Sequence, residues 1–391
     1  MLSAPILRHS ARLLTSDAGQ LREQAAWVSR GWSQFHDAGF HGEGAEAAIA
    51  RLGRLSAGLD TPPSQMIRVA EVLNTTAGLQ EQLDRMQERV LGAIGLVSER
   101  DPEIQRTLTS LRMLGQALDW ACARQIGVLC AEEAATMDPG ERLADLPDLP
   151  IDAVHELRLL TAPPAVRELA DAHPDLRLLE TSDGRLVAAI GDIDAAESVT
   201  TVVAGVSSSD PAGWATQVTR ARAVAGATGG AAVLWLGYPA PSSATRALNP
   251  AAARAAGPHL RDFQEELARR HPSQQRIVVG YSYGSVVVGN AAGSEAGLHA
   301  DDVVLVGSPG AGVSDASHFN LHGDAPRVHA MTNPGDVVGW AAGPHGGVHG
   351  RDPTSPGFGA DVWPGSPGGD HSSYWEDPRF LDRLGELTAP A

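Results

Sequence analysis

Around residue 280 the chain reads Arg276-Ile277-Val278-Val279, then Gly280-Tyr281-Ser282-Tyr283-Gly284, then Ser285-Val286-Val287-Val288-Gly289-Asn290-Ala291-Ala292. A β-branched run, a G-x-S-x-G turn and a small-residue helix, in that order, constrain the fold more than any other part of the chain. The five-residue pattern alone is a weak signal in a chain with 43 glycines. Its setting makes it specific. A serine presented on a tight strand-to-helix turn needs glycines beside it, because the strand and the returning helix pack closely there. Ser282 is therefore expected as a nucleophile at the carboxyl edge of a sheet.

The rest of the second half agrees with an α/β architecture. Short β-branched or apolar runs at 199–203, 232–236, 277–279, 303–306 and 327–331 predict strands, separated by segments long enough for crossover helices. Two further runs, 176–180 and 185–190, flank Thr181-Ser182-Asp183-Gly184, where the Asp-Gly pair predicts a hairpin turn. Helices are predicted at 165–172, at 258–270 with Pro258 in its first turn, and around 378–387.

The first half has a different period. Met66, Val69, Leu73, Leu79, Leu83, Met86 and Val90, then Ile104, Leu108, Leu111, Leu114 and Leu118, recur at three- and four-residue spacing. Breaks at Phe40-His41-Gly42, Asp60-Thr61-Pro62-Pro63 and Asp101-Pro102 divide residues 17–130 into about four helices. The expected organisation is a helical bundle over 1–135, an acidic, proline-bearing linker over 136–152, and a parallel α/β domain over 153–391. A length of 391 residues suits two such domains.

Charge narrows the partners. All thirty basic side chains are arginine, against 47 carboxylates, for a net charge of −17. No basic stripe exists to neutralise phosphates, so nucleic acid is not an expected partner. Residues 223–245 carry no Asp, Glu, Lys or Arg but hold four glycines and two prolines, which suits buried core and not a membrane span. Residues 1–14 lack the apolar core of a signal peptide, and the expectation is a cytoplasmic protein or one exported without a Sec signal. Cys122 and Cys130, the only cysteines, stand eight residues apart, beyond disulfide reach on one continuous helix, and are read as small half-buried side chains; the alternative is that Gly127 breaks the helix and brings them together.

A serine hydroxyl needs a base, and the base needs an acid to orient it. Asp336, in Asn333-Pro334-Gly335-Asp336, follows the strand ending near Met331, where a turn at the carboxyl edge places a triad acid; Asp324, Asp352 and Asp370 compete, each with an alternative role as a loop cap. His371, in a glycine-rich loop ahead of the last helix, is the expected base. His345 and His349 are rivals at four-residue spacing, but Pro344 and the glycines argue against a helix that would aim both at a metal, and no metal or cofactor is expected. Two amides should stabilise an oxyanion, one from Tyr283 and one from Val206 or Ser207 in the loop after the first parallel strand. Alternatively, the serines of that loop cap the helix that contains Trp214. Tyr281, Trp340 and Phe358 are candidate substrate-binding residues, the last two in an apolar, glycine-rich stretch at 339–369 that reads as a cleft wall, a lid or a plain surface loop.

Several blocks resemble an uncharacterised α/β-hydrolase family widespread in actinobacteria with a GHSYGS-type elbow. They are Trp235-Leu236-Gly237-Tyr238 with Ala240-Pro241, the segment 280–285, Val304-Leu305-Val306-Gly307-Ser308-Pro309-Gly310, His349-Gly350-Arg351-Asp352-Pro353-Thr354, Phe358-Gly359-Ala360, and 371–374. The resemblance spans about 175–391 and implies an α/β-hydrolase fold with a Ser282, Asp336 and His371 triad. Two positions depart from it: Tyr281 stands where the family usually has His, and Ala204-Gly205-Val206-Ser207 where it has Pro-Gly-Thr-Gly. The N-terminal helices resemble, more weakly, the WXG-type hairpin of type VII secretion substrates, with Phe40-His41-Gly42 in place of Trp-x-Gly; an ordinary helical packing module is the alternative.

The expected function is hydrolysis of carboxylic esters, of lipid or acyl-sugar type, through an acyl-enzyme on Ser282. Acyl transfer by the same triad, an amidase or peptidase, and a non-catalytic hydrolase-like protein with a partner on its N-terminal helices are the alternatives.

Overall fold

In the computed structural model, residues 3–37, 61–94, 102–130, 142–146, 149–182, 185–338 and 346–389 are described. Contacts divide the chain into two units, Met1–Asp138 and Pro139–Ala391.

The first unit contains three long helices among the described residues: α1 (Ala4–Asp37), α2 (Thr61–Ile94) and α3 (Pro102–Cys130). Small side chains form their seam, with Ala4, Leu7 and Ala11 of α1 against Ala70, Leu73 and Ala77 of α2 and Cys122 of α3. Alanines lose no side-chain entropy and let helix axes approach. Cys122 is a buried free thiol. The Phe40-His41-Gly42 motif lies outside the described residues. No described helix is long and apolar enough to cross a membrane.

The second unit opens with α4 (Ile151–Thr161) and α5 (Pro164–Ala172) and continues β1 (Leu176–Ser182), β2 (Arg185–Ile190), β3 (Ser198–Val203), α6 (Trp214–Thr228), β4 (Ala231–Leu236), α7 (Ala251–Arg270), β5 (Gln275–Tyr281), α8 (Gly284–Ala292), β6 (Asp302–Val306), β7 (Arg327–Met331), β8 (Asp361–Trp363) and α9 (Pro378–Thr388). The eight strands form one sheet in the order β1-β2-β4-β3-β5-β6-β7-β8. The pairs β1/β2 and β2/β4 are antiparallel and the remainder parallel. Ser182 faces Arg185 across the hairpin, so two residues connect β1 and β2. This is the α/β-hydrolase fold, preceded by an all-helical region.

Both faces of the central strands are covered, which is why β3, β4 and β6 are buried at every position. Trp214, Val218, Ala221 and Val224 of α6 and Phe380 and Leu384 of α9 share one core with Ile277, Val279 and Tyr281 of β5. On the opposite side Gln264 of α7 donates to Thr201 Oγ1 of β3 at 2.7 Å.

Three expectations need correction. The crossover helix begins at Ala251, with Asn249 Oδ1 accepting its N–H, and carries Pro258 inside it. The connections β6 to β7 and β7 to β8 hold no α-helix among the described residues, and the glycine-rich stretch contributes an edge strand, β8, whose three residues are too few to register as a period. Residues 142–146 and 149–152 do not behave as a free linker. Leu143, Leu146, Leu149 and Ile151 are buried, and the Arg270 guanidinium donates to the Leu146 and Leu149 carbonyls at 2.5 and 2.6 Å. The leucines between the prolines carry the apolar signal that the acidic composition masks.

Candidate active site

The turn after β5 is built as its sequence requires. Ser282 has φ 56°, a left-handed conformation that costs an L-residue free energy and is kept only when its surroundings impose it. Those surroundings are tight: a Cβ on Gly284 would run into the Val203 carbonyl oxygen, so only glycine lets α8 start this close to β3. The Ser282 amide donates to the Val306 carbonyl at 2.9 Å, tying the turn to the end of β6. The neighbouring serines are already engaged, Ser285 Oγ with the Gly280 carbonyl and Ser308 Oγ with that of Gly310.

Two strands along the sheet from β5, beyond the end of β7, Asp336 meets His371. The His371 ring faces Asp336 Oδ2 through Nδ1 at 2.8 Å, and since Asp336 is ionised, Nδ1 carries the proton. Gly307 lies beneath the pair at φ 52°; a Cβ there would stand 2.6 Å from Asp336 Oδ2 and 3.1 Å from His371 Nδ1. Asp336 is 1% exposed. Burial opposes its ionisation, but hydrogen bonds from His371 and Tyr374 and from the Val338 amide outweigh this and hold its carboxyl below the ordinary carboxylate range. Ser282 Oγ makes no hydrogen bond to His371 among the described contacts; such bonds are often long before substrate binds.

Two of the rival carboxylates do other work. Asp370 Oδ1 accepts the Ser372 and Ser373 amides and the Ser372 hydroxyl, and Asp352 Oδ1 accepts the Thr354 amide and hydroxyl, both as loop caps. His349 is buried with Nε2 2.6 Å from the Ala247 carbonyl, and burial lowers its pKa against that bond. His345 lies outside the described residues. No group of three or more potential ligands among the described residues is placed to hold a metal ion.

Of the three oxyanion candidates, Ser207 is removed. Its amide already donates to the Pro241 carbonyl at 2.8 Å. The amides of Tyr283 and Val206 have no acceptor among the described residues, and the Gly205 backbone passes so close to the serine that a Cβ on it would stand 3.1 Å from Ser282 Oγ. The helix start after this loop is capped by Asp210, not by the serines.

Two of the substrate-binding candidates are corrected, and Trp340 lies outside the described residues. Tyr281 does not open into a cleft: its ring stacks on His371 with centroids 5.0 Å apart, and its hydroxyl donates to the His371 carbonyl at 2.6 Å. The Arg220 guanidinium lies 5.1 Å from the centre of the same ring and 5.6 Å from that of Trp375. Phe358 is 1% exposed and packs edge-on against Phe319. Sequence reading assigned no role to Tyr374, Asn333, Gly307 and Arg220, although Gly307 and Tyr374 lie in the blocks 304–310 and 371–374 and Asn333 stands in the turn that carries Asp336.

The buried carboxylates set how the second unit responds to acid. Asp302 is like Asp336: burial opposes its ionisation, while His329 and Arg327 hold its pKa down. A carboxyl whose folded pKa is depressed contributes stability that is present above its unfolded value, about pH 4, and is lost as pH falls through the folded one. Guanidinium unfolding followed by tryptophan fluorescence is expected to show a clearly lower midpoint at pH 3 than at pH 6. Equal midpoints would contradict the assignment.

Comparison with known proteins agrees with the fold. Residues 180–344 match a family model described as alpha/beta hydrolase, a span that includes Ser282 and Asp336 and stops before His371. An uncharacterised protein of Mycobacterium tuberculosis strain H37Rv is 33% identical over 230 residues, 49% of this chain and 35% of that protein. An uncharacterised protein of Mycobacterium bovis is 34% identical over 178 residues, 40% of this chain and 66% of that one. The chain thus spans about a third of the length of the first of these relatives. Among solved structures, an esterase of Mycobacterium marinum aligns with 15% identity and a TM-score of 0.35 over 61% of this chain and 88% of that chain.

Proposed function

We propose that this chain is a serine hydrolase that cleaves carboxylic esters through an acyl-enzyme on Ser282. The observation that carries the reading is the 2.8 Å contact of His371 with Asp336 beside Gly307, two strands along the sheet from a serine held at φ 56°. In this reading Ser282 Oγ attacks the acyl carbonyl and its proton passes to His371 Nε2. The Asp336 carboxylate holds Nδ1–H and stabilises the imidazolium that forms. The Tyr283 and Val206 amides receive the tetrahedral oxyanion. The imidazolium then protonates the departing alcohol, and water attacks the acyl-enzyme by the same route in reverse.

An apolar acyl or alkyl group suits the rim. Leu248 and Val348 are exposed beside the contact between His349 and Ala247, His349 packs edge-on against Tyr283, and the exposed Val337 follows Asp336. The test is fluorophosphonate labelling of the purified full-length protein with hydrolysis of 4-nitrophenyl acetate, butyrate and octanoate. Stoichiometric labelling and preference for a longer acyl chain over acetate are expected; a folded protein that neither labels nor turns over any ester would sink the reading.

A further inference from the structure

Tyr374 is fully buried, and its hydroxyl is used twice: it donates to Asp336 Oδ2 at 2.7 Å and accepts the Asn333 N–H at 2.9 Å. The oxygen it donates to is the one that faces His371 Nδ1, while Oδ1 accepts the Val338 amide. Asn333 and Val338 lie on either side of Asp336 in the chain, so one turn aims both the carboxylate and the phenol. The Asn333 side chain reaches on into the histidine loop, with Oδ1 accepting the Ser366 amide and Nδ2 donating to the Asp370 carbonyl.

We propose that Tyr374 is a positioning residue of this site: by donating to the carboxylate oxygen that His371 uses, its hydroxyl sets how strongly Asp336 holds the imidazole. The proposal rests on the reading of Asp336 and His371 as acid and base. Two donors on one carboxylate oxygen divide its charge, so weakening one strengthens the other. The remaining polar groups around the pair are turned elsewhere. Tyr281 donates to the His371 carbonyl, Arg220 lies on the Tyr281 ring, and the Asp370 carboxylate caps Ser372 and Ser373. None of them reaches Oδ2. Burial raises the Tyr374 pKa, and the charge on Asp336 adds to this, so the phenol remains a donor through the neutral range.

The test compares full-length wild type, Tyr374→Phe and protein with 3-fluorotyrosine placed at 374, a more acidic donor of nearly the same shape. The first readout is the proton resonance of His371 Nδ1–H, assigned by its loss in His371→Ala. Tyr374→Phe is expected to move it downfield and fluorotyrosine upfield. The acid limb of kcat/KM for 4-nitrophenyl butyrate should move by about half a pH unit in the corresponding directions, up for phenylalanine and down for fluorotyrosine. Opposite signs from two variants that keep the ring are not expected of a residue that merely fills space. A resonance unmoved in both, or moved the same way, overturns the proposal whatever happens to the melting temperature. If Tyr374→Phe does not fold, the upfield shift with fluorotyrosine still decides the question. The resonance is read without substrate, so an inactive wild type would sink the hydrolase reading while leaving this result to stand on its own.

Discussion

Replacing Ser282 with alanine is expected to lower ester turnover about a millionfold and to abolish fluorophosphonate labelling, with the melting temperature nearly unchanged. The loss should be this large because the serines next to the turn are engaged elsewhere. Ser285 and Ser308 donate their hydroxyls to backbone carbonyls, and Ser207 donates to that of Ser242 from an exposed turn. Stability should hold because the cost of φ 56° is borne by the backbone, which alanine must adopt as serine does. The amide to Val306 and the glycine contacts that impose the conformation are untouched. Active-site titration and circular dichroism melts on the two proteins check this. Labelling that persists in Ser282→Ala would place the nucleophile elsewhere.

The architecture was legible because parallel strands covered on both faces leave continuous apolar runs, and because a serine turn between strand and helix tolerates few side chains. Ser282 and Asp336 could be nominated for the same reason, since carboxyl ends of strands are marked by where the runs stop, whereas His371 was marked by its glycine-rich loop ahead of the last helix. Less legible was anything decided by direction. Tyr281 is adjacent to the serine, and nothing in its position tells that the ring turns toward His371 and not toward a cleft. Ser207 and Val206 differ only in that the first amide meets the Pro241 carbonyl across the loop. Phe358 reads as a cleft aromatic until Phe319, 39 positions earlier, is seen against it. Proline favours the first turn, so Pro258 reads as a helix start, yet α7 already begins at Ala251, whose N–H donates to Asn249 Oδ1, and Pro258 lies inside it.

The choice among four carboxylates has its own consequence. Asp336→Asn is expected to lower kcat about ten-thousandfold, more than the loss of an orienting group alone would suggest, because the amide cannot satisfy its neighbours without disturbing His371. In the wild type Oδ2 accepts from both His371 and Tyr374, and Oδ1 accepts from the Val338 amide. An asparagine that keeps its oxygen toward His371 and Tyr374 turns its NH2 against the Val338 N–H, two donors face to face in a site 1% exposed. The flipped amide satisfies Val338 but presents NH2 to His371 Nδ1. The imidazole then accepts at Nδ1 and carries its proton on Nε2, where it cannot take one from serine. Asp370→Asn and Asp352→Asn are the controls. Their caps use one side-chain oxygen, which asparagine also has, so kcat should stay within a few-fold of wild type. Steady-state kinetics on the three variants decide between them. An Asp336→Asn enzyme within tenfold of wild type, or an Asp370→Asn enzyme equally crippled, would move the acid from the end of β7 into the histidine loop itself.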